Sequence, residues 1–223
     1  MSYSRFAIYY VPPKGALAEA GAAWLGWDVA AGCAVPQPDL PGLRDITMTP
    51  QKYGFHGTLK PPFRLKDGTM VEDLENATSA LAATLAPATF EGLEVTVLGH
   101  FLALTPRGDL GAVRRIASGC VRDLDGFRAP ASEPELARRR KVGLTPRQET
   151  LLTQWGYPYV MEAFNFHLTL TGRLPDETIP IWEERVKKQL PELPAPFVLD
   201  QIALCGERTD GRFEILHRYT LTG

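Results

Sequence analysis

Two histidines in this chain carry the same short pattern. His56-Gly57-Thr58-Leu59 and His167-Leu168-Thr169-Leu170 each set a threonine two residues after the histidine and a leucine three after. On composition frequencies a given histidine meets "Thr at +2, apolar at +3" about 3–4% of the time. His100 and His217 do not match and read as structural or exposed. One such motif alone is only a solvated histidine on a half-exposed strand; it is the pair that points to chemistry. Imidazole titrates near pH 6.5, so one ring can take a proton while another gives one. Two rings flanking a phosphorus centre can activate water, or a neighbouring hydroxyl, and protonate the leaving oxygen. A threonine hydroxyl two residues away reaches the same space and can donate to a non-bridging phosphate oxygen. This needs no metal, no HxH, HExxH or acidic cluster accompanies the pair, and no cofactor is expected. The matching substrate is a phosphodiester with a good internal leaving group, such as a 2′,3′-cyclic phosphate or another small cyclic ester.

Strand alternation says which neighbours share the histidine faces. Around the first motif Gly54, His56, Thr58 and Lys60 form one face, and Tyr53, Phe55, Gly57 and Leu59 the other. Lys60 is therefore a candidate phosphate contact, and Tyr53 a core residue. Around the second, Asn165, His167, Thr169 and Thr171 form a polar face opposite Phe164, Phe166, Leu168 and Leu170. Asn165 and Thr171 read as rim residues of the site. Tyr157 and Tyr159, just ahead of this strand, can stack on a base or sugar or bond a phosphate. The cationic run Arg138-Arg139-Arg140-Lys141 suits the C-terminal end of a helix, and Arg139 or Arg140 can face a neighbouring cleft.

The elements that must hold these residues follow from periodicity and punctuation. Arg5–Val11, Tyr53–Leu65, Phe90–Leu98, Phe101–Leu104, Phe164–Arg173, Phe197–Cys205 and Arg212–Leu221 read as strands. Gly15–Trp27, Val71–Leu85, Leu110–Leu124 and Thr178–Leu190 read as helices, and the proline-rich Val35–Pro50 as a long loop. Two capping boxes, Ser132-x-x-Glu135 and Thr145-x-x-Gln148, predict a helical hairpin over Glu133–Lys141 and Pro146–Trp155. Thr209-Asp210-Gly211 predicts a hairpin turn between the last two strands. Each His-x-Thr-Leu strand is followed by a helix, a Leu-rich strand ending in Gly, and another strand. That repeated order predicts an α+β fold of two duplicated antiparallel lobes with outer helices. Lobe 1 spans residues 50–126, the hairpin insertion 127–162 and lobe 2 163–223, with 1–49 adding a strand and a helix.

Composition limits the partners. The chain has 223 residues and a formal net charge of −2, which disfavours long nucleic acid but not a small anion held by a few local cations. Met1–Tyr10 lacks a basic segment leading into a long apolar one, and no stretch nears the length of a membrane span. Cys33, Cys120 and Cys205 form no CxxC pair and read as buried small residues. A cytoplasmic protein with no membrane partner is expected.

The two His-x-Thr-hydrophobic motifs resemble those of the 2H phosphoesterase superfamily, which includes RNA 2′,3′-cyclic phosphodiesterases. The contexts Lys52-Tyr53-Gly54-Phe55-His56-Gly57-Thr58-Leu59-Lys60 and Trp155-Gly156-Tyr157-Pro158-Tyr159 with Phe166–Arg173 resemble a bacterial subgroup, DUF1045, whose members are often named for phosphonate metabolism. The resemblance implies a pseudo-twofold fold with both motifs facing a central cleft. It also implies that His56 and His167 are catalytic and that Thr58 and Thr169 bind phosphate. The activity implied is hydrolysis of a small cyclic phosphodiester. Two other readings compete with it: a phosphate-ligand-binding or regulatory module without turnover, and an RNA 2′,3′-cyclic phosphodiesterase acting on a short 3′ end.

Overall fold

The structure, a computed structural model, describes residues 3–223. Met1 and Ser2, where the targeting reading begins, lie outside them. In chain order the elements are β1 (Phe6–Tyr10), α1 (Ala16–Leu25), β2 (Trp27–Asp28), β3 (Cys33–Ala34), α2 (Leu43–Gln51), β4 (Gly57–Phe63) and α3 (Val71–Ala82). There follow β5 (Ala88–Phe90), β6 (Gly92–Leu98), β7 (Phe101–Arg107), α4 (Gly111–Asp123), α5 (Glu133–Arg140) and α6 (Pro146–Trp155). The chain closes with β8 (Leu168–Thr169), α7 (Ile179–Gln189), β9 (Phe197–Leu199), β10 (Gln201–Glu207) and β11 (Phe213–Thr220).

The fold is α+β. Seven strands form one sheet in the order β11-β10-β1-β4-β8-β7-β6, antiparallel at each pairing. The strand that follows His56, β4, and the one that follows His167, β8, are neighbours at its centre. Each half of the sheet draws on both parts of the chain: β4 joins β1, β10 and β11, while β8 joins β7 and β6. The motif strands are thus exchanged between the segments 50–126 and 163–223, and the sheet is continuous across them.

One face of the sheet carries the main core. Ile8, Leu59, Leu104, Leu168, Ile202 and Leu204 meet Trp24 and Leu25 of α1, Leu74 of α3, Val113 and Ile116 of α4 and Trp182 of α7, all buried. On the other face a smaller cluster, with Tyr9, Trp27, Val29 and Phe213, covers the β1–β10 end. The rest of that face is a cleft, lined in part by Arg138 and Arg139 of α5 and by the segment that follows α6.

Several local expectations are corrected. Val35–Pro50 is not all loop, because α2 buries Leu43, Thr47 and Pro50 on one side. A proline so late in the helix removes an N–H that Ile46 would otherwise receive. The Gly172 N–H donates to the Ile46 carbonyl instead, at 2.6 Å, tying α2 to the chain just past the second motif. Phe164–Arg173 is regular only over β8. Beyond it Leu170 and Thr171 both donate to the Leu102 carbonyl, at 2.9 and 3.2 Å, so the ladder bulges. Thr145 and Gln148 form their capping box, with Gln148 N–H donating to Thr145 Oγ1 at 3.2 Å. Ser132 makes no such bond, and the Glu135 carboxylate pairs with Arg139 at 3.0 Å. Cys33 is exposed on β3, while Cys120 and Cys205 are buried. Among the described residues no helix is long and apolar enough to cross a membrane.

Candidate active site

The register of the two central strands sets the site. Gly57 pairs with Leu168 in the antiparallel ladder. One residue to either side, His56 then lies across from Thr169 and Thr58 across from His167. Both pairs point to the face opposite the core. Diagonal neighbours in such a ladder stand about 7–8 Å apart, which leaves room for a phosphate between the two imidazoles. Gly57 is required for this approach. A Cβ there would lie 2.5 Å from the ring of buried Phe166. Gly57→Ala is therefore expected to overpack the junction by about 1–3 kcal/mol and lower Tm by about 2–12 °C in scanning calorimetry. An unchanged Tm would show that the junction yields freely.

Both rings are oriented the same way. His56 Nδ1 meets the Gly54 carbonyl at 2.9 Å and His167 Nδ1 the Asn165 carbonyl at 2.9 Å. A carbonyl only accepts, so each Nδ1 carries the proton and each neutral ring presents Nε2 as its acceptor. His56 Nε2 receives the Thr58 hydroxyl at 3.0 Å. The Tyr9 ring lies against His56, with centroids 3.8 Å apart. Burial pushes His56 down to about 4, against the opposing pull of the Gly54 carbonyl, and the neighbouring His167 lowers it further. Burial lowers His167 as well, again opposed by its backbone bond to Asn165. Both rings are thus neutral at pH 7 in the free protein.

The cleft has a volume of about 920 Å3, and its lining includes His56, Thr58, His167 and Thr169. Arg5, Lys52, Arg138 and Arg139 also line it, with no aspartate or glutamate among the lining residues. An anion is the ligand such walls favour. Tyr157 and Tyr159 both reach the cleft, with ring centroids 5.7 Å apart, and Arg139 lies 4.7 Å over the Tyr157 ring. Among the described residues no group of three His, Cys, Asp or Glu side chains could hold a metal ion.

Of the other expected contacts, only some reach this cleft. Lys60 does not line this cleft. Register shifts between β1 and β4 break the alternation before it, and its Nζ donates to the Val121 carbonyl at 3.0 Å. Arg140 points away and pairs with Glu149 at 2.6 Å. Thr171 lines the cleft but is buried, its hydroxyl accepting the Leu102 N–H at 2.9 Å. Asn165 lines the cleft as a rim residue. Tyr53, expected in the core, lines the cleft beside His56, because Gly54 at φ +71° turns the chain before the strand begins. His100 pairs with Asp176 at 2.6 Å, outside the site. Tyr9, Arg5 and Lys52 are cleft residues that strand periodicity did not single out.

A family model described as "Protein of unknown function (DUF1045)" matches residues 58–214, more than two thirds of the chain. Two curated relatives are each named "Ribose 1,5-bisphosphate phosphokinase PhnN". The one from Janthinobacterium sp. (strain Marseille) is 41% identical over 179 residues, covering 78% of this chain and 40% of that protein. The one from Laribacter hongkongensis (strain HLHK9) is 32% identical over 191 residues, covering 81% of this chain and 43% of that protein. The chain thus spans about two fifths of the length of the curated relatives it matches. Solved structures similar to it include TT0787 of Thermus thermophilus, at TM-score 0.48 and 14% identity over 98% of both chains. They also include E. coli LigT complexed with 3′-AMP, at TM-score 0.46 and 14% identity over 100% of both chains.

Proposed function

The chain belongs to the DUF1045 family, and on that footing we propose that it is a metal-independent phosphoesterase that opens a small cyclic phosphodiester by two-histidine acid/base catalysis. The observation that carries this reading is the crossed register. It sets two imidazoles and two threonine hydroxyls on one face of an acid-free, arginine-rimmed cleft.

His56, the ring more firmly held neutral, is the general base, and His167 the general acid. Water attacks phosphorus as His56 Nε2 takes its proton, and a P–O bond of the ring breaks as His167 Nε2–H protonates the leaving oxygen. The product is a phosphate monoester and a free hydroxyl, and the proton returns from His56 to His167 through solvent. Thr169 donates to a non-bridging oxygen, where charge builds in the transition state, and Thr58 does the same once its hydroxyl turns from His56 Nε2 and frees that nitrogen for the water. Relatives that carry this region within a longer chain are named for ribose 1,5-bisphosphate, a small phosphate ester. This favours a ribose-phosphate substrate in phosphonate catabolism over an RNA end, as does the formal charge of −2.

A panel of ribose and nucleoside cyclic phosphates, with an oligoribonucleotide ending in a 2′,3′-cyclic phosphate, tests the reading. Turnover of a small cyclic ester that is unchanged by EDTA is expected. Turnover that EDTA abolishes excludes the metal-free mechanism. Binding with no turnover of any compound identifies a phosphate-binding module instead.

A further inference from the structure

Behind the wall formed by Pro61 and Pro62 lies a second cavity, of about 260 Å3. It shares Arg5, Pro61, Pro62 and Arg138 with the histidine cleft, so the two spaces are contiguous at that edge. Its lining is strongly cationic. Arg5, Lys60, Arg64, Arg128 and Arg138 face it, against one carboxylate, Glu135. Some of that charge is already balanced: Arg5 pairs with Glu207, Arg128 with Asp125 at 2.7 Å, and Glu135 with Arg139 at 3.0 Å. What is left over is informative. Among the described residues Arg64 and Arg138 have no carboxylate partner, and Arg64 makes only a 3.3 Å bond to the Pro130 carbonyl. Lys60 is buried, yet its ammonium has one good acceptor, the Val121 carbonyl at 3.0 Å, with the Asp125 carboxylate at 3.6 Å. An ammonium offers three donors, so Lys60 retains hydrogen-bonding capacity at the cavity wall. Burying a cation this incompletely paired is costly unless an anion completes the set. Burial holds the Lys60 amine at about 8, well below its usual range, and an arriving dianion would draw it back up.

We propose that this second cavity is an anion subsite for a terminal phosphate monoester, so that the preferred substrates are cyclic phosphodiesters bearing a second phosphate. The proposal rests on the two-histidine reading for what happens in the neighbouring cleft. Lys60, Arg64 and Arg138 grip the dianion and hold the cyclic ester against His56 and His167.

The test compares adenosine 2′,3′-cyclic phosphate with and without a 5′-phosphate. The 5′-phosphate is expected to raise kcat/KM by about 10- to 100-fold, the worth of a charge-assisted contact. Arg64→Ala, at an exposed side chain, and Arg138→Ala each move that ratio toward one. Equal kcat/KM for the two compounds, or a preference that both variants leave intact, overturns the subsite while leaving the two-histidine reading standing. A second arm needs no turnover. Calorimetric titration with adenosine 5′-monophosphate and adenosine is expected to show tighter binding of the former, weakened in Arg64→Ala. If neither cyclic compound reacts but this difference is present, the hydrolase reading fails and the subsite survives; no difference between the two ligands overturns the subsite.

Discussion

Replacing His56 by alanine is expected to lower kcat on a small cyclic phosphodiester by about 10²–10⁴-fold, and replacing His167 by a similar factor. Each ring presents its Nε2 as an acceptor, that of His56 receiving the Thr58 hydroxyl, and its Nδ1–H is tied to the carbonyl two residues back. Neither ring has a substitute within the cleft, where the remaining ionisable side chains are cationic or phenolic. The two act in one step, one taking a proton as the other gives one. The double variant should therefore lose little more than the worse single variant, as expected for residues that work as a unit. Steady-state kinetics checks this, with Tm measured alongside, because His56 also fills the space beside the Tyr9 ring. His56→Gln retains most of that volume and separates packing from proton transfer. An unchanged rate in either alanine variant excludes the mechanism. A loss in His56→Ala that His56→Gln restores in full would assign the ring a packing role instead.

The histidine pair was legible in the chain because strand alternation is local. His and Thr two apart must share a face wherever the backbone is extended, and both motifs obey this. The α6 cap and the β10–β11 turn were legible for the same reason, each being set by three or four consecutive residues. Lys60 was misplaced by the same rule. The registers Phe6↔Phe63, Ile8↔Lys60 and Tyr9↔Thr58 do not run in step, and each shift moves the following side chains to the other face. Tyr53 failed for a related reason, since Gly54 leaves the extended region before alternation can start. Tyr9 had no periodic signal, because every residue of β1 is buried. The exchange of β4 and β8 between the halves of the sheet is a long-range choice. It depends on close approach at Gly57 against Phe166, which no window of a few residues contains.

The pH dependence offers a sharper test, because it can assign the two roles. In the free protein burial holds His56 near 4 and His167 below its ordinary 6.5. Catalysis with His56 as base requires His56 neutral and His167 protonated. As pH rises through about 4, His56 loses its proton and kcat/KM climbs; as pH rises through the His167 value, the acid is lost and kcat/KM falls tenfold per unit. The maximum should lie between these two, and at pH 8.5 kcat/KM should be about 100-fold or more below it. In the complex the bound phosphate anion favours both imidazolium forms, so the kcat profile should sit at higher pH than the kcat/KM profile. The reversed assignment produces the same bell in the intact protein, so the variants decide it. With His56 as base, the residual rate of His56→Ala has no acidic limb and only falls with pH, while that of His167→Ala rises through about 4 and then stays level. If His56 were the acid, the residual rate of His167→Ala would instead decline above pH 4. That outcome would exchange the two roles. A kcat/KM profile flat from pH 4 to 9 in the intact protein would remove both histidines from proton transfer.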